Sequence, residues 1–154
     1  YPDTVKIRQI SKDIRDVSIN DVEGIEAIIH LAALSNDPLG ELSPGITEDI
    51  NLSGTLRLAE LAKKSGVKRF IYSSSQSMYG ISSVATELYE DNSEKKPITA
   101  YARTKWDAEL GLNAMQTDDF MVVSSRTSTV FGACQSLRCY RVVPILQASA
   151  ATPR

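Results

Sequence analysis

The chain has 154 residues, 42% of them hydrophobic and 23% charged, proportions ordinary for a soluble domain large enough to bury a core. A formal charge of −2 argues against a basic nucleic-acid-binding face, and no run approaches the roughly 18 apolar residues of a membrane span. One His (His30) and two Cys (Cys134, Cys139) cannot assemble a His- or Cys-rich zinc site, and the thiols, not spaced as CxxC, read as incidental.

In chain order, Val5 to Ile10 alternates apolar and polar residues and predicts a short strand. Glu26 to Ala33 is nearly unbroken in apolar character and predicts a strand covered on both faces, as in a parallel sheet. Ser43-Pro44 reads as an N-cap followed by Pro at the first helical position. Ile46, Ile50, Leu58, Leu61 and Ala62 recur at helical spacing, Lys63 and Lys64 suit a final turn, and Gly66 suits the C′ position. Gly54 inside this helix costs about 1 kcal/mol relative to Ala, and close approach of helix to sheet would explain it. Lys68 to Ser73 predicts the next strand. Residues 80–98 form a long excursion, whose acids Glu87, Glu90, Asp91 and Glu94 read as a solvated face. A helix follows from about Thr99 to Met115, then a strand over Asp119 to Ser125. The βαβαβ order predicts an α/β fold with an open parallel sheet and right-handed crossovers.

Ligands of such sheets bind beyond the carboxyl ends of the strands. Small polar residues gather after each predicted strand, at Ala32 to Asp37, at Ser73 to Gly80 and at Arg126 to Gly132. On the helix, Tyr101 and Lys105 are four residues apart and share a face. A free tyrosine, with pKa ~10, is only about 0.1% phenolate at neutral pH. An ammonium within ~4–6 Å lowers that pKa by about 1–3 units and makes the pair a general base. Alone, the pair equally suits a half-exposed helix face, the serine run an ordinary loop, and His30 a satisfied core histidine.

Taken in order, the motifs resemble the extended short-chain dehydrogenase/reductase family, nearest the NAD-dependent nucleotide-sugar epimerases and dehydratases. Asp13-Ile14-Arg15-Asp16 resembles the D-[IV]-R-D segment, and Ile29-His30-Leu31-Ala32-Ala33 the H-L-A-A segment. Asn51-x-x-Gly54-Thr55 resembles N-x-x-G-T. Phe70 to Gly80 resembles the strand carrying the catalytic Ser or Thr, and Tyr101/Lys105 match Y-x-x-x-K. Arg126-x-x-Thr129-Val130-Phe131-Gly132 resembles R-P-x-x-V-[YF]-G, with Thr127 where Pro is usual and Ala133 where Pro commonly follows. The resemblance covers roughly residues 5 to 143.

It implies a Rossmann-like doubly wound sheet and three catalytic residues, Ser75, Tyr101 and Lys105. NAD is the implied cofactor, held by Asp13, Ile14, Leu31, Ala32, Ala33, Asn51, Ser73, Tyr101 and Lys105. In the implied chemistry Tyr101 removes a proton from a sugar hydroxyl while hydride passes to NAD, Lys105 assists the tyrosine and holds the ribose, and Ser75 orients the hydroxyl. The implied substrate is a nucleotide sugar, with no nucleic-acid or membrane partner, in a cytoplasmic protein that could dimerise through the Tyr101 helix. Gln76 and Ser77 follow Ser75 where dehydratases carry Asp-Glu, which favours epimerisation over elimination of water. A reductase, an inert remnant and a binding module stay open as alternatives. The family's Gly-rich phosphate turn has no counterpart in the sequence. With Tyr1 in place of Met, the expectation is a piece of a longer protein, truncated at both ends. Residues 1–132 would then be an incomplete cofactor domain and 133–154 the connection to a substrate domain, the piece alone inactive and weak for NAD.

Overall fold

The computed structural model describes residues 9–35, 41–81 and 88–128. Three strands, β1 (Ala27–His30), β2 (Arg69–Ser75) and β3 (Met121–Thr127), form one sheet in the order β1-β2-β3. Both pairings are parallel, as the alternation of strands and helices predicts. Of the Val5–Ile10 strand, Val5 to Arg8 lie outside the described residues, and Gln9 and Ile10 are not in a strand. The stretch before β1 instead folds as a 3₁₀ turn (Ile14–Asp16) and a one-turn helix, α1 (Ile19–Val22).

Between β1 and β2 the chain is helical from Pro44 to Lys64, but not as one regular helix. A short helix, α2 (Pro44–Glu48), passes through a π-turn (Asp49–Ser53) into α3 (Gly54–Lys64). A π-turn spends one extra residue per turn and so rotates whatever precedes it. Ile46 is exposed, and the buried face is the one a position further on, with Thr47 and Asn51 in line with Thr55, Leu58 and Ala62. Ser43 takes the N-cap position with Pro44 at N1, yet its side chain makes no capping bond. At the other end Gly66 has φ +81°, and the Gly66 and Val67 N–H groups donate to the Lys63 and Ala62 carbonyls, closing the helix as expected. Gly54 admits a different neighbour from the one expected. A Cβ there would stand 3.3 Å from Ile14 Cγ2, so the close approach is by the 13–15 turn rather than the sheet.

The second long helix, α4 (Ala100–Met115), is capped by the Thr99 hydroxyl, which accepts from the Ala102 N–H. It lies beside α3 on one face of the sheet. Phe70 and Tyr72 of β2, Val122 of β3, Leu58, Ala59 and Ala62 of α3, and Ala108 and Leu112 of α4 form a single core cluster. Each large side chain so buried contributes about 1.5–3 kcal/mol. The opposite face differs from expectation. Ile29, Met121 and Val123 point away from the helices and are exposed, Ile29 by 66%. Among the described residues only one face of the sheet is covered. No described helix is long and apolar enough to cross a membrane, and no described cluster of three His, Cys, Asp or Glu could hold a metal.

Candidate active site

The strands are parallel and α4 returns antiparallel to them, so the ends of β1 and β2 and the start of α4 meet at one edge of the sheet. The three residues of the implied catalytic set converge there. Ser75 ends β2 and caps a 3₁₀ turn (Gln76–Tyr79), its Oγ accepting from Ser77 N at 3.2 Å and from Ser77 Oγ at 2.8 Å. Those bonds occupy acceptor positions and leave the Ser75 proton available to donate outward. Tyr101, in the first turn of α4, is half-buried. Lys105, one turn further, is 3% exposed and lies over two rings, 5.9 Å from the centroid of Tyr101 and 4.7 Å from that of Tyr72. Its Nζ donates to the Ser73 carbonyl at 2.6 Å, which ties the helix to the strand just before Ser75. Burial pulls the Lys105 pKa down to about 8, so its proton is exchangeable near neutral pH.

The expected cofactor residues divide into two groups. Leu31 and Ala32 are exposed and Ala33 is half-buried, immediately beyond β1 at the same edge. Ser73 contributes its carbonyl to Lys105. Asn51 is buried in the π-turn and holds this edge from behind. Its Oδ1 accepts from Leu34 N at 2.8 Å, and its Nδ2 donates to Leu34 O at 3.1 Å and Thr104 Oγ1 at 3.4 Å. Asp13 and Ile14 sit at the 3₁₀ turn before α1. The Arg15 guanidinium holds the Asp13 carboxyl down to about 2 and reaches Asp49 of the π-turn at 2.8 Å. Asp13 is thus tied through Arg15 to the π-turn, and Ile14 lies against Gly54, away from the Ser75–Tyr101–Lys105 group.

His30 is a core residue, as its sequence setting suggests. Its Nε2 pairs with Thr55 Oγ1 at 2.9 Å, it stacks on Tyr72, and burial with the nearby Lys105 charge lowers its pKa to about 4. Asn36, Asp37, Glu87, Thr129 to Gly132, Cys134 and Cys139 lie outside the described residues. A depression of about 480 Å³ opens between Lys63 and Met121 at the far, amino end of the strands and contains none of the expected residues.

One part of the edge is missing from the expected set. Glu109 is 2% exposed and faces Arg126 of β3, with Nη2 to Oε1 at 2.6 Å and Nε to Oε1 at 3.0 Å. Ser74 Oγ donates to the same carboxylate at 2.7 Å. Only Arg126 carried a sequence signal, as the first residue of the R-x-x-x-V-F-G segment. Glu109 follows Lys105 by one helical turn, which puts it on the Tyr101–Lys105 face.

The family model described as the NAD-dependent epimerase/dehydratase family matches residues 5–152. The UDP-glucuronate 4-epimerase of Thermodesulfobacterium geofontis is 38% identical over 93 residues, which are 60% of this chain and 28% of that protein. The structure of a UDP-N-acetylglucosamine 4-epimerase from Methanobrevibacter ruminantium, in complex with UDP-N-acetylmuramic acid, superposes with TM-score 0.78 and 26% identity, covering 90% of this chain and 47% of that one. A double mutant of DesIV, a dTDP-glucose 4,6-dehydratase from Streptomyces venezuelae with NAD bound, superposes with TM-score 0.75 and 25% identity, covering 90% and 43%. The chain therefore spans less than half the length of each of these three relatives, and within that span it belongs to the NAD-dependent epimerase/dehydratase family.

Proposed function

We propose that this chain carries the proton-transfer machinery of an NAD-dependent nucleotide-sugar epimerase. The observation that carries the reading is the buried Lys105 ammonium, which touches both the Tyr101 ring and the strand backbone two residues before Ser75. Tyr101 takes the proton from a sugar carbinol and later returns it. Lys105 sets a positive charge against the negative charge that builds on that oxygen. Ser75, with Ser77 held on its acceptor side, donates its own proton to the carbinol oxygen and fixes its direction.

The donor set at this edge fits the ribose end of NAD, because an amine, a phenol and an exposed strand terminus lie together there. Lys105, Tyr101 and Ser73 would hold that end, Leu31, Ala32 and Ala33 would run beside the phosphates, and Asp13 with Ile14 would meet the adenine. Asn51, its amide already engaged by Leu34, serves by holding the Leu31–Leu34 turn in place. Bound NAD supplies the acceptor and donor of hydride for the carbinol carbon.

Epimerisation is preferred to dehydration because Gln76 and Ser77, the first residues of the turn after Ser75, are not acids. Loss of water from a neighbouring carbon needs an acid to protonate the leaving hydroxyl. The test uses the longer protein that contains this segment, with UDP- and dTDP-hexoses and NAD. Tyr101→Phe is expected to lower turnover by roughly 10²–10⁴-fold while NAD affinity changes little. Unchanged turnover would remove Tyr101 from the mechanism, and a 4-keto-6-deoxy product would replace epimerase with dehydratase.

A further inference from the structure

Between Ser75 and Tyr101 the chain leaves the sheet edge and returns to it, so the two residues stand at the two ends of one excursion. Its described part, Leu88 to Ile98, contains no strand or helix and is held by side chains from elsewhere. Arg103 Nη1 donates to the Ile98 carbonyl at 2.6 Å, and Arg126 ties the segment to its surroundings. Besides its fork on Glu109, Arg126 Nη1 donates to Tyr79 Oη at 2.7 Å and to the Glu90 carbonyl at 2.6 Å. Its guanidinium lies 5.7 Å from the Tyr79 ring and 5.6 Å from the Trp106 ring. Lys95 takes matching places, 5.7 Å from Tyr79 and 5.6 Å from Trp106, and its Nζ reaches the same Glu90 carbonyl at 2.8 Å. The excursion is closed by Lys96 N donating to Met78 O at 2.8 Å, beside Gly80 at φ +71°.

A buried ion pair that served stability alone would need two partners. Arg126 instead hydrogen-bonds three residues. Glu109 lies on the catalytic helix and also bonds Ser74, the residue before Ser75, and it pairs with Arg126. Tyr79 ends the Ser75 turn, and Glu90 lies in the excursion. In the sheet register Ser74 stands opposite Arg126, so the fork sits directly beside the strand end that carries Ser75. We propose that Arg126, seated on Glu109, is the positioning residue that docks the 88–96 segment on the Ser75 turn and thereby fixes Ser75 relative to Tyr101. The docking stands on the contacts above, whereas its bearing on catalysis rests on the epimerase reading.

The chain has a single tryptophan, Trp106, and it lies at this junction. Arg126→Lys keeps the charge but loses the planar fork that serves several acceptors at once. Three readouts apply: Trp106 emission, cleavage by a glutamyl endopeptidase after Glu90 and Glu94, and the thermal unfolding midpoint. Arg126→Lys is expected to shift the emission and to raise the cleavage rate about tenfold or more below the midpoint. Gly80→Ala, which forces a Cβ toward the Lys96 carbonyl, gives the undocked reference. If Arg126→Lys only lowers the midpoint, with emission and cleavage unchanged, the positioning role is overturned. Should Arg126→Lys not fold, Tyr79→Phe decides. It removes one acceptor and keeps the ring, and faster cleavage supports the proposal while an unchanged rate overturns it. In the longer protein Arg126→Lys is expected to lower kcat about tenfold with KM changed less than about threefold. If Tyr101→Phe leaves turnover intact, the catalytic reading fails while the cleavage result still judges the docking.

Discussion

At Lys105 the cost of burying an amine is paid mainly in desolvation. With its pKa at about 8 when folded and near 10.5 when unfolded, the unfolded chain binds more protons between those values, so stability rises with pH across that window. Below about pH 8 the penalty is full, roughly 3 kcal/mol before subtracting about 1 kcal/mol for the hydrogen bond to Ser73. Lys105→Met is therefore expected to raise the unfolding midpoint at pH 7, with the gain fading toward pH 10.5. A midpoint at pH 7 no higher than that of the unsubstituted chain would refute this. His30 acts at the other end of the scale. Its folded value near 4 lies below the ordinary 6.5, so stability is full above about pH 6.5 and falls as pH drops through that interval. Beneath Lys105, the Tyr72 hydroxyl is buried without a hydrogen-bond partner among the described residues, as is Ser124 Oγ, which it faces in the β2–β3 register. An unsatisfied buried hydroxyl costs about 1–3 kcal/mol. Tyr72→Phe is thus expected to hold or raise the unfolding free energy from urea titration, and a drop of more than about 1 kcal/mol would reveal a partner for that hydroxyl.

At the scale of elements, the pieces readable in the sequence are those whose signal is periodic or punctuated. Phe70, Tyr72 and Ser74 alternate with Arg69, Ile71 and Ser73, and Gly66 and Thr99 mark helix ends, so β2, the end of α3 and the start of α4 fall where expected. The π-turn was not readable, because one extra residue in a turn changes no composition and breaks no hydrophobic run. Nor does apolar character mark the buried face here, where Thr47, Asn51 and Thr55 are buried and Ile46 is not. The site divides in the same way. Ser75, Tyr101 and Lys105 form a spaced pattern along the chain, while Glu109, Arg126 and Tyr79 meet only because the β2–β3 register sets Ser74 opposite Arg126. Such a meeting depends on tertiary pairing and has no local signature.

For the whole described molecule, the uncovered sheet face sets behaviour in solution. Ile29, Ile71 and Val123 occupy one row of the register across all three strands. An apolar row of this kind favours association when nothing covers it. The 154-residue chain is expected to self-associate as its concentration rises, and Ile29→Thr with Val123→Thr to reduce this without lowering the unfolding midpoint. Sedimentation of the unsubstituted chain as a monomer would contradict it. The same register also carries a kinetic consequence. Residue 27 pairs with 69, and 69 with 121, so the sheet forms only by closing loops of 42 and 52 residues. None of the three described strands has a hairpin neighbour to nucleate on, and the entropy of closure comes due before any ladder bond forms. The helices, whose bonds are local, are expected to precede the sheet. The slow step is then the arrival of α3 and α4 on β2, which sets the pace at milliseconds or longer instead of the microseconds of a helical bundle.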